Sequence, residues 1–494
     1  MQGSPNTYIQ IKNNEIFMID LINYKYEVRE NFYRLLVLIT IIIIVNISTL
    51  SSLSGLLITI PQYIIVVFLL IKGDIKNSVL WHMTFMILSL SAQGTLGMFD
   101  DETFSLYNYG TIKLIGPIRC CYVMNIFFVL LLKSKKTFHN ESLFSELYKT
   151  FLIVFSISAF IGFVGCVVHP YYLFSDWINN LVYVFAVLST CYILLKLSDP
   201  KMYRSAYYIC TCALMGSVIG SYICFKFLDV VSNYSVYEIP YVADLTFFAP
   251  LLIVGILTIK PKIPLYISLL IYMLLVMEAM GGKTVFGILF AFLIIVYLSF
   301  FDRYTFNKYR INIRKLRLSI MFMSIFIVLY VIKNFSSDSM AYYKVMSAMS
   351  MAEGNLDDMG DSPYIRVASL INILNEGIKN PFILFLGNGY GGYFEDGLNL
   401  FAGIDLSNGA WKDDNINTGR FYSGHDTMVT VPLFNGLLGL YMILRICWYY
   451  IKRININYMN ATAIFWIILV FYYNTIFVFI GSFYLFASEY KEEN

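Results

Sequence analysis

Charged side chains are scarce in this sequence. Asp, Glu, Lys and Arg make up 14 % of its 494 residues, while apolar residues make up 58 % and the mean hydropathy is +0.67. Soluble domains contain about 25 % charged residues, so the composition excludes an ordinary soluble protein. No basic stripe occurs outside the short segments between apolar runs, which argues against nucleic-acid binding.

Cysteine and histidine are also few. The chain has eight Cys and four His. Every Cys falls within a predicted membrane span, which argues against a disulfide framework and against a Cys-ligated metal site. We therefore expect neither a metal nor a cofactor. His82 and His139 are expected on the cytoplasmic side and His169 at an outer span end, with His82 and His169 as packing or interface residues.

Long apolar runs occupy most of the chain. A membrane-spanning helix needs about 20 mostly apolar residues, since lipid offers no partner to backbone N–H and C=O groups. Such runs predict spans near residues 35–52, 55–71, 79–98, 112–132, 150–168, 176–195, 206–225, 244–259, 263–280, 285–301, 318–333 and 429–447. A last run, 461–487, predicts one long helix or a tight pair. The predicted fold class is an all-α polytopic membrane protein with about 12–14 transmembrane helices.

The distribution of Lys and Arg predicts the orientation. Most of the 35 basic residues fall in segments that are cytoplasmic if the N-terminus is inside. The predicted organisation is a cytoplasmic segment (1–34), transmembrane helices 1–11 (35–333), a large outer loop with helices (334–428) and C-terminal transmembrane helices (429–494). The side on which the C-terminus lies stays open.

Basic residues are rare in the outer loop, where twelve acidic residues face five basic ones. Arg366 lies in SPYIRVASLINILNEGIKNP, which predicts a helix with Ser362 as N-cap, Pro363 at its first position and Asn380-Pro381 as its stop. The helix is largely apolar, so we expect it on the membrane or beneath the loop. An Arg buried in such a helix needs an anionic partner.

A glycine-rich turn follows that helix, in ILFLGNGYGGYF. It lacks the Lys-Ser/Thr of a phosphate-binding loop, so it is a weak motif alone, and we expect a flexible turn that joins two loop helices. His425 and Asp426 then lie at the outer mouth of the span at 429–447.

Arg119 is predicted inside the fourth span, near its outer face. A charge there is costly and usually marks a polar pathway, although snorkelling to the interface or a structural pair with Glu278 or Asp244 is the alternative.

These motifs together resemble the O-antigen polymerase and O-antigen ligase superfamily. The likeness lies in the Arg-bearing loop helix, the G-x-G turn, and a His at the start of a span with Gly-x-x-Gly beyond it. In addition, EAMGGKTVFGILFAFLII looks like the family's Thr-x-Ser-Arg motif. The chain departs from the family at Lys283, where Arg is usual, and at Asp426, where Asn is common.

The resemblance implies a type C glycosyltransferase fold in a bacterial inner or plasma membrane. It implies an undecaprenyl-diphosphate-linked oligosaccharide as donor and metal-independent transfer outside the cytoplasm. Lys283, Arg366, Arg420 and Arg119 are the predicted diphosphate-binding residues, and Arg366 and His425 the predicted catalytic pair. Besides the lipid bilayer, a chain-length regulator and a flippase are candidate partners.

The function predicted on this basis is polymerisation of lipid-linked repeat units into O-antigen or capsular polysaccharide. A ligase that moves a finished glycan to another acceptor uses the same chemistry. A lipid-linked oligosaccharide flippase is the alternative from another class, although the sequence shows no internal repeat and a flippase has no need of a large outer loop.

Overall fold

The computed structural model describes fifteen stretches of the chain. They are residues 52–96, 109–110, 112–116, 118–134, 142–227, 251–258, 267–271, 282–301, 361–404, 406, 411, 413–424, 427–454, 457–471 and 475–491. The predicted segment 1–34, the spans at 35–52 and 318–333 (apart from Ser52) and most of the span at 263–280 lie outside the described residues.

The described chain is mostly helical. Its helices are α1 (Ser52–Ile71), α2 (Ile75–Leu96), α3 (Cys120–Leu132), α4 (Leu143–Val168), α5 (Phe174–Lys196), α6 (Pro200–Phe227), α7 (Leu251–Thr258), α8 (Gly282–Phe301), α9 (Asp361–Lys379), α10 (Pro381–Leu386), α11 (Asp413–Thr418), α12 (Thr427–Ile451), α13 (Met459–Phe465, continued by a π-helical turn, Trp466–Val470) and α14 (Thr475–Ala487). Within the described residues, α4, α5 and α12 are long and apolar enough to cross a membrane.

Two short antiparallel ribbons interrupt the helices, and the described chain is otherwise helical, in line with the predicted helical fold class. Strand β1 (Lys113–Ile115) pairs with β2 (Ile118–Arg119), and β3 (Phe394–Glu395) pairs with β4 (Arg420–Phe421). The first ribbon occupies the start of the span predicted at 112–132. Gly116 takes a left-handed conformation there (φ 55°), which turns the chain and delays the helix to Cys120.

The last apolar run forms the tight pair rather than one long helix. Helices α13 and α14 fold back on each other, and the Trp466 ring fills the space where a side chain at position 481 would lie. Asn457 Nδ2, before α13, donates to the Tyr490 carbonyl at 3.0 Å, after α14. The end of α14 therefore returns to the end of the bundle where α12 finishes.

Opposite charges meet in pairs at that end of the bundle, which we call the paired-charge end. Lys76 forms an ion pair with Asp199, and Arg453 forms one with Glu489 at 3.2 Å. Glu489 also accepts a hydrogen bond from the Phe144 N–H at 3.1 Å. These contacts join the start of α2 to the α5–α6 connection, and the ends of α12 and α14 to the start of α4.

A polar network crosses the core of the bundle. His82 is fully buried, with Nδ1 2.7 Å from the Tyr109 hydroxyl and Nε2 3.2 Å from Asn125 Oδ1. Asn125 Nδ2 in turn donates to Ser189 and Thr190. The predicted packing role of His82 is thus confirmed, and the prediction that it lies on the cytoplasmic side stays a prediction. Because these buried groups satisfy one another, α2, α3 and α5 are held in one register.

Candidate functional site

The candidate site is built on helices α9 and α10. Helix α9 begins at Asp361, one residue before the predicted N-cap, and ends at Lys379 as predicted. The Asn380 side chain accepts a hydrogen bond from the Phe382 N–H at 3.1 Å, so it caps α10, and Pro381 takes the first helical position. The Asn-Pro pair thus ends one helix and starts the next.

A break in α12 receives the glycine-rich turn that follows α10. Gly436 has φ 56° and ψ −151°, which interrupts the helix and frees carbonyls of the preceding turn. The Asn388 N–H donates to the Leu433 carbonyl at 2.7 Å, and the Gly389 N–H donates to the Phe434 carbonyl at 3.2 Å. The turn therefore supplies the hydrogen bonds that the broken helix lacks.

The same turn is wedged against α4 on its other side. The Tyr390 N–H donates to the Ser158 carbonyl at 3.1 Å, and Asn435 Nδ2 donates to Ser158 Oγ at 2.5 Å. A Cβ at Gly162 would lie 2.0 Å from the Tyr390 carbonyl oxygen, so only glycine fits. Residues 387–392 are all buried. The turn is therefore a packed wedge between two helices, and the expectation of a flexible joint is wrong.

A chain of charges lies beside the wedge. Glu376 on α9 accepts a hydrogen bond from the Glu395 N–H at 2.7 Å, and Glu395 forms an ion pair with Arg420 at 3.2 Å. The strand pairing of β3 with β4 sets the second contact, because Glu395 lies opposite Arg420. Burial, together with the nearby charge of Glu395, raises the pKa of Glu376 to about 7.

Aromatic side chains cover one side of these charges. The Arg420 guanidinium lies 3.6 Å above the centre of the Tyr171 ring, and the Tyr422 hydroxyl donates to the Tyr171 carbonyl at 2.7 Å. We call the five neighbouring rings the tyrosine cluster: His169, Tyr171, Tyr172, Tyr393 and Tyr422. His169 and Tyr171 are exposed and the other three are half-buried, so the cluster offers aromatic surface beside polar groups.

A small aromatic core fixes the strand pair from behind. The centres of the Trp411 and Phe421 rings are 4.5 Å apart, and those of Phe394 and Phe421 are 5.2 Å apart. The Phe401 ring packs against Phe394 and Phe421. All four side chains are buried. Glu395 and Arg420 thus project from a fixed platform rather than from a loose loop.

The structure brings Arg420 into the site but separates it from Arg366. Arg366 is half-buried on α9, ten residues before Glu376, which is about 15 Å along a helix. Lys283 is the second residue of α8, and that helix packs against α7 and α13. His425 and Asp426 lie outside the described residues, between Gly424 and Thr427.

Arg119 lies elsewhere, and its predicted place inside a span is wrong. It belongs to strand β2 and precedes α3, with an extended backbone (φ −100°, ψ 155°). Its Nη1 donates to the Gly110 carbonyl at 3.0 Å and so ties down the turn before the first ribbon. The proposed acidic partners, Glu278 and Asp244, lie outside the described residues.

Sequence reasoning missed Glu376 and the tyrosine cluster. One signal for Glu376 was available, because it is the only acid within α9 after its first residue. The tyrosines carried no such signal, since the chain contains 40 of them. Within the described ranges, no three His, Cys, Asp or Glu side chains form a group that could hold a metal ion.

Neither a family model, nor a curated protein, nor a solved structure matches this chain.

Proposed function

We propose that this protein is a polytopic membrane glycosyltransferase that polymerises undecaprenyl-diphosphate-linked oligosaccharides outside the cytoplasm of a bacterium. The observation that carries the proposal is the meeting of Glu376, Glu395 and Arg420 beside the tyrosine cluster. An acid whose pKa is about 7 suits proton transfer at neutral pH. Flat aromatic faces next to carboxylates suit a sugar, which presents C–H faces and hydroxyl groups.

The proposed reaction joins two lipid-linked glycans. An acceptor hydroxyl attacks the anomeric carbon of the donor, its new C–O bond forms, and its proton passes to the Glu376 carboxylate. The bond from that carbon to the diphosphate oxygen breaks, and undecaprenyl diphosphate leaves. The leaving diphosphate gains negative charge, which a positioned Arg stabilises. Arg420, held beside Glu395, is the predicted cation nearest to Glu376. Arg366 lies about 15 Å away along α9, so it and Lys283 are the candidates for contacts to the part of the lipid diphosphate farther from the anomeric carbon.

His425 is the other candidate base. It follows Tyr422 of the tyrosine cluster by three residues, so their Cα atoms are at most about 11 Å apart. If His425 accepts the proton, Glu376 binds a sugar hydroxyl instead; if Glu376 accepts it, His425 contacts the acceptor or the diphosphate. A ligase acting on a different acceptor would use the same groups.

One observation favours a transporter instead. Broken helices that face a substrate occur in many secondary transporters, and α12 is broken at Gly436. A flippase would move the lipid-linked glycan without changing it, so product analysis separates the two functions.

The test uses the full chain in vesicles that contain undecaprenyl-diphosphate-linked repeat units. We expect longer glycans, with release of undecaprenyl diphosphate in equal number to the new linkages, and both should be lost in Glu376→Gln. Asp414→Asn, which changes an exposed acid of α11, is the matched control. If the lipid-linked glycan crosses the vesicle membrane unmodified and is not elongated, the protein is a flippase and not a transferase.

A further inference from the structure

Helix α10 exposes apolar side chains in the middle of what the sequence predicts as a water-facing loop. Phe382 is 56 % exposed and Phe385 58 %, and Ile378 at the end of α9 is 74 % exposed. Not one residue of α10 is buried. Such a surface costs free energy in water and is stable only when something apolar covers it.

The exposed face of α10 continues a membrane-facing stripe of α12. Leu437, Tyr441, Leu444 and Trp448 are exposed along one side of α12, spaced by three or four residues as on one helix face. Helix α10 packs directly on α12. A Cβ at Gly436 would lie 2.6 Å from the Phe385 backbone carbonyl carbon, so Phe385 is level with the helix break.

The depth of that break can be measured along two helices. Gly436 is nine residues from the start of α12 at Thr427, which is about 14 Å along the helix axis. On α4, Ser158 contacts the same turn and is nine residues from the exposed Lys149, again about 14 Å. Since the hydrocarbon layer is about 30 Å thick, both helices place the turn near its middle.

The backbone around α10 meets the requirement for such a depth. Irregular backbone is tolerated in hydrocarbon only where protein groups satisfy it. The carbonyls that the break at Gly436 leaves free accept hydrogen bonds from Asn388 and Gly389, and the turn itself is buried between α4 and α12. The outer face of α10, by contrast, presents only apolar side chains.

We propose that α10, residues 381–386, is a re-entrant element whose exposed face contacts the acyl chains of the bilayer. The element enters from the loop side, reaches the level of Gly436 and returns through the glycine turn. The element contacts the hydrocarbon of phospholipid and takes no part in the proposed transfer reaction. Its position in the bilayer is therefore independent of whether the protein is a glycosyltransferase.

The test is photocrosslinking of the full chain in phospholipid vesicles, with a benzophenone side chain placed at one position at a time. Position 385 is the probe, Leu444 on α12 is the membrane reference, and Leu398, a 46 % exposed leucine of the loop, is the matched control. Covalent phospholipid adducts are measured by mass spectrometry. We expect the adduct yield at 385 to equal that at 444 and to exceed that at 398 by about tenfold or more.

Two outcomes would overturn the proposal. An adduct yield at 385 no higher than at 398 would place α10 in water. Adducts confined to phospholipid headgroups would make α10 a surface-lying helix instead of a re-entrant one. If the variant at 385 does not fold, position 382 on the same exposed face gives the same comparison.

Discussion

The two ends of the helical bundle handle charge in opposite ways. At the paired-charge end two acids each pair with a base, Asp199 with Lys76 and Glu489 with Arg453. At the loop end Glu376 and Glu395 lie together beside Arg420, and the pKa of Glu376 is raised to about 7. A matched pair holds helices together, whereas a carboxyl with a near-neutral pKa can exchange a proton at neutral pH. The proposed transfer reaction is therefore placed at the loop end.

The loop end depends first on its wedge, and removing the wedge should have the largest effect. Gly162→Ala would put a Cβ 2.0 Å from the Tyr390 carbonyl oxygen, forcing α4 and the turn apart. We expect a loss of about 1–3 kcal/mol or more, and little monodisperse protein. The measurement is thermal stability in detergent by size-exclusion chromatography.

Gly255→Ala is the control for that change. Its Cβ would lie 3.4 Å from the Tyr458 ring, an ordinary packing distance, so the variant should keep nearly the stability of the parent protein. Equal stability of the two variants would contradict the account of the turn as a wedge.

Glu376→Gln should have the next largest effect. The substitution keeps the shape of the side chain and removes its ability to take a proton, so turnover should fall by about 10²–10⁴. Assays at matched protein level, with Asp414→Asn in parallel, give the comparison. Turnover that survives in Glu376→Gln would assign this carboxyl a structural role only.

Arg366→Ala should reduce the rate somewhat less. Loss of one positioned donor to the diphosphate costs about 2–4 kcal/mol, or about 10²–10³ in rate. Arg366→Lys should recover only part of the loss, because Lys lacks the planar fork of Arg. Lys201→Ala, which removes an exposed cation at the start of α6, should be nearly silent. Full activity in Arg366→Lys would reject a bidentate contact.

The smallest effect is expected at the paired-charge end. Lys76 is 46 % exposed in its pair with Asp199, and such pairs contribute less than about 1 kcal/mol. Lys76→Ala should lower thermal stability slightly and leave turnover unchanged. A large drop in turnover would mean that the two ends are coupled, and the contrast between them would fail.

A local signal in the sequence predicted the end of α9 correctly, because an Asn-Pro step at 380–381 stops a helix. For the run at 461–487 the sequence left one long helix and a tight pair open, and the structure has the pair. The same local reasoning failed at Arg119. The apolar run at 112–132 predicted a helix that contains Arg119, but the turn at Gly116 places Arg119 in a strand before the helix.

Contacts between residues distant in the chain could not be predicted from the sequence. The glycine turn gains its role from Gly436 and Ser158, which are distant in the chain and identified only by packing. The raised pKa of Glu376 likewise depends on burial and on Glu395, which follows it by nineteen residues. Arg420 was predicted as a phosphate ligand, yet its stacking on Tyr171 could not be foreseen from either residue.

The most direct test of the central claim is the pH dependence of the transfer rate. An ordinary glutamate with a pKa of 4.5 is ionised throughout the neutral range, whereas Glu376 with a pKa of about 7 gains its charge only as the pH rises through that value. The proton acceptor is the carboxylate, so the wild-type rate should rise with pH through about 7. That rise should be absent from the residual activity of Glu376→Gln and should persist in His425→Ala. A rise that persists in Glu376→Gln and disappears in His425→Ala would make His425 the base and contradict the account.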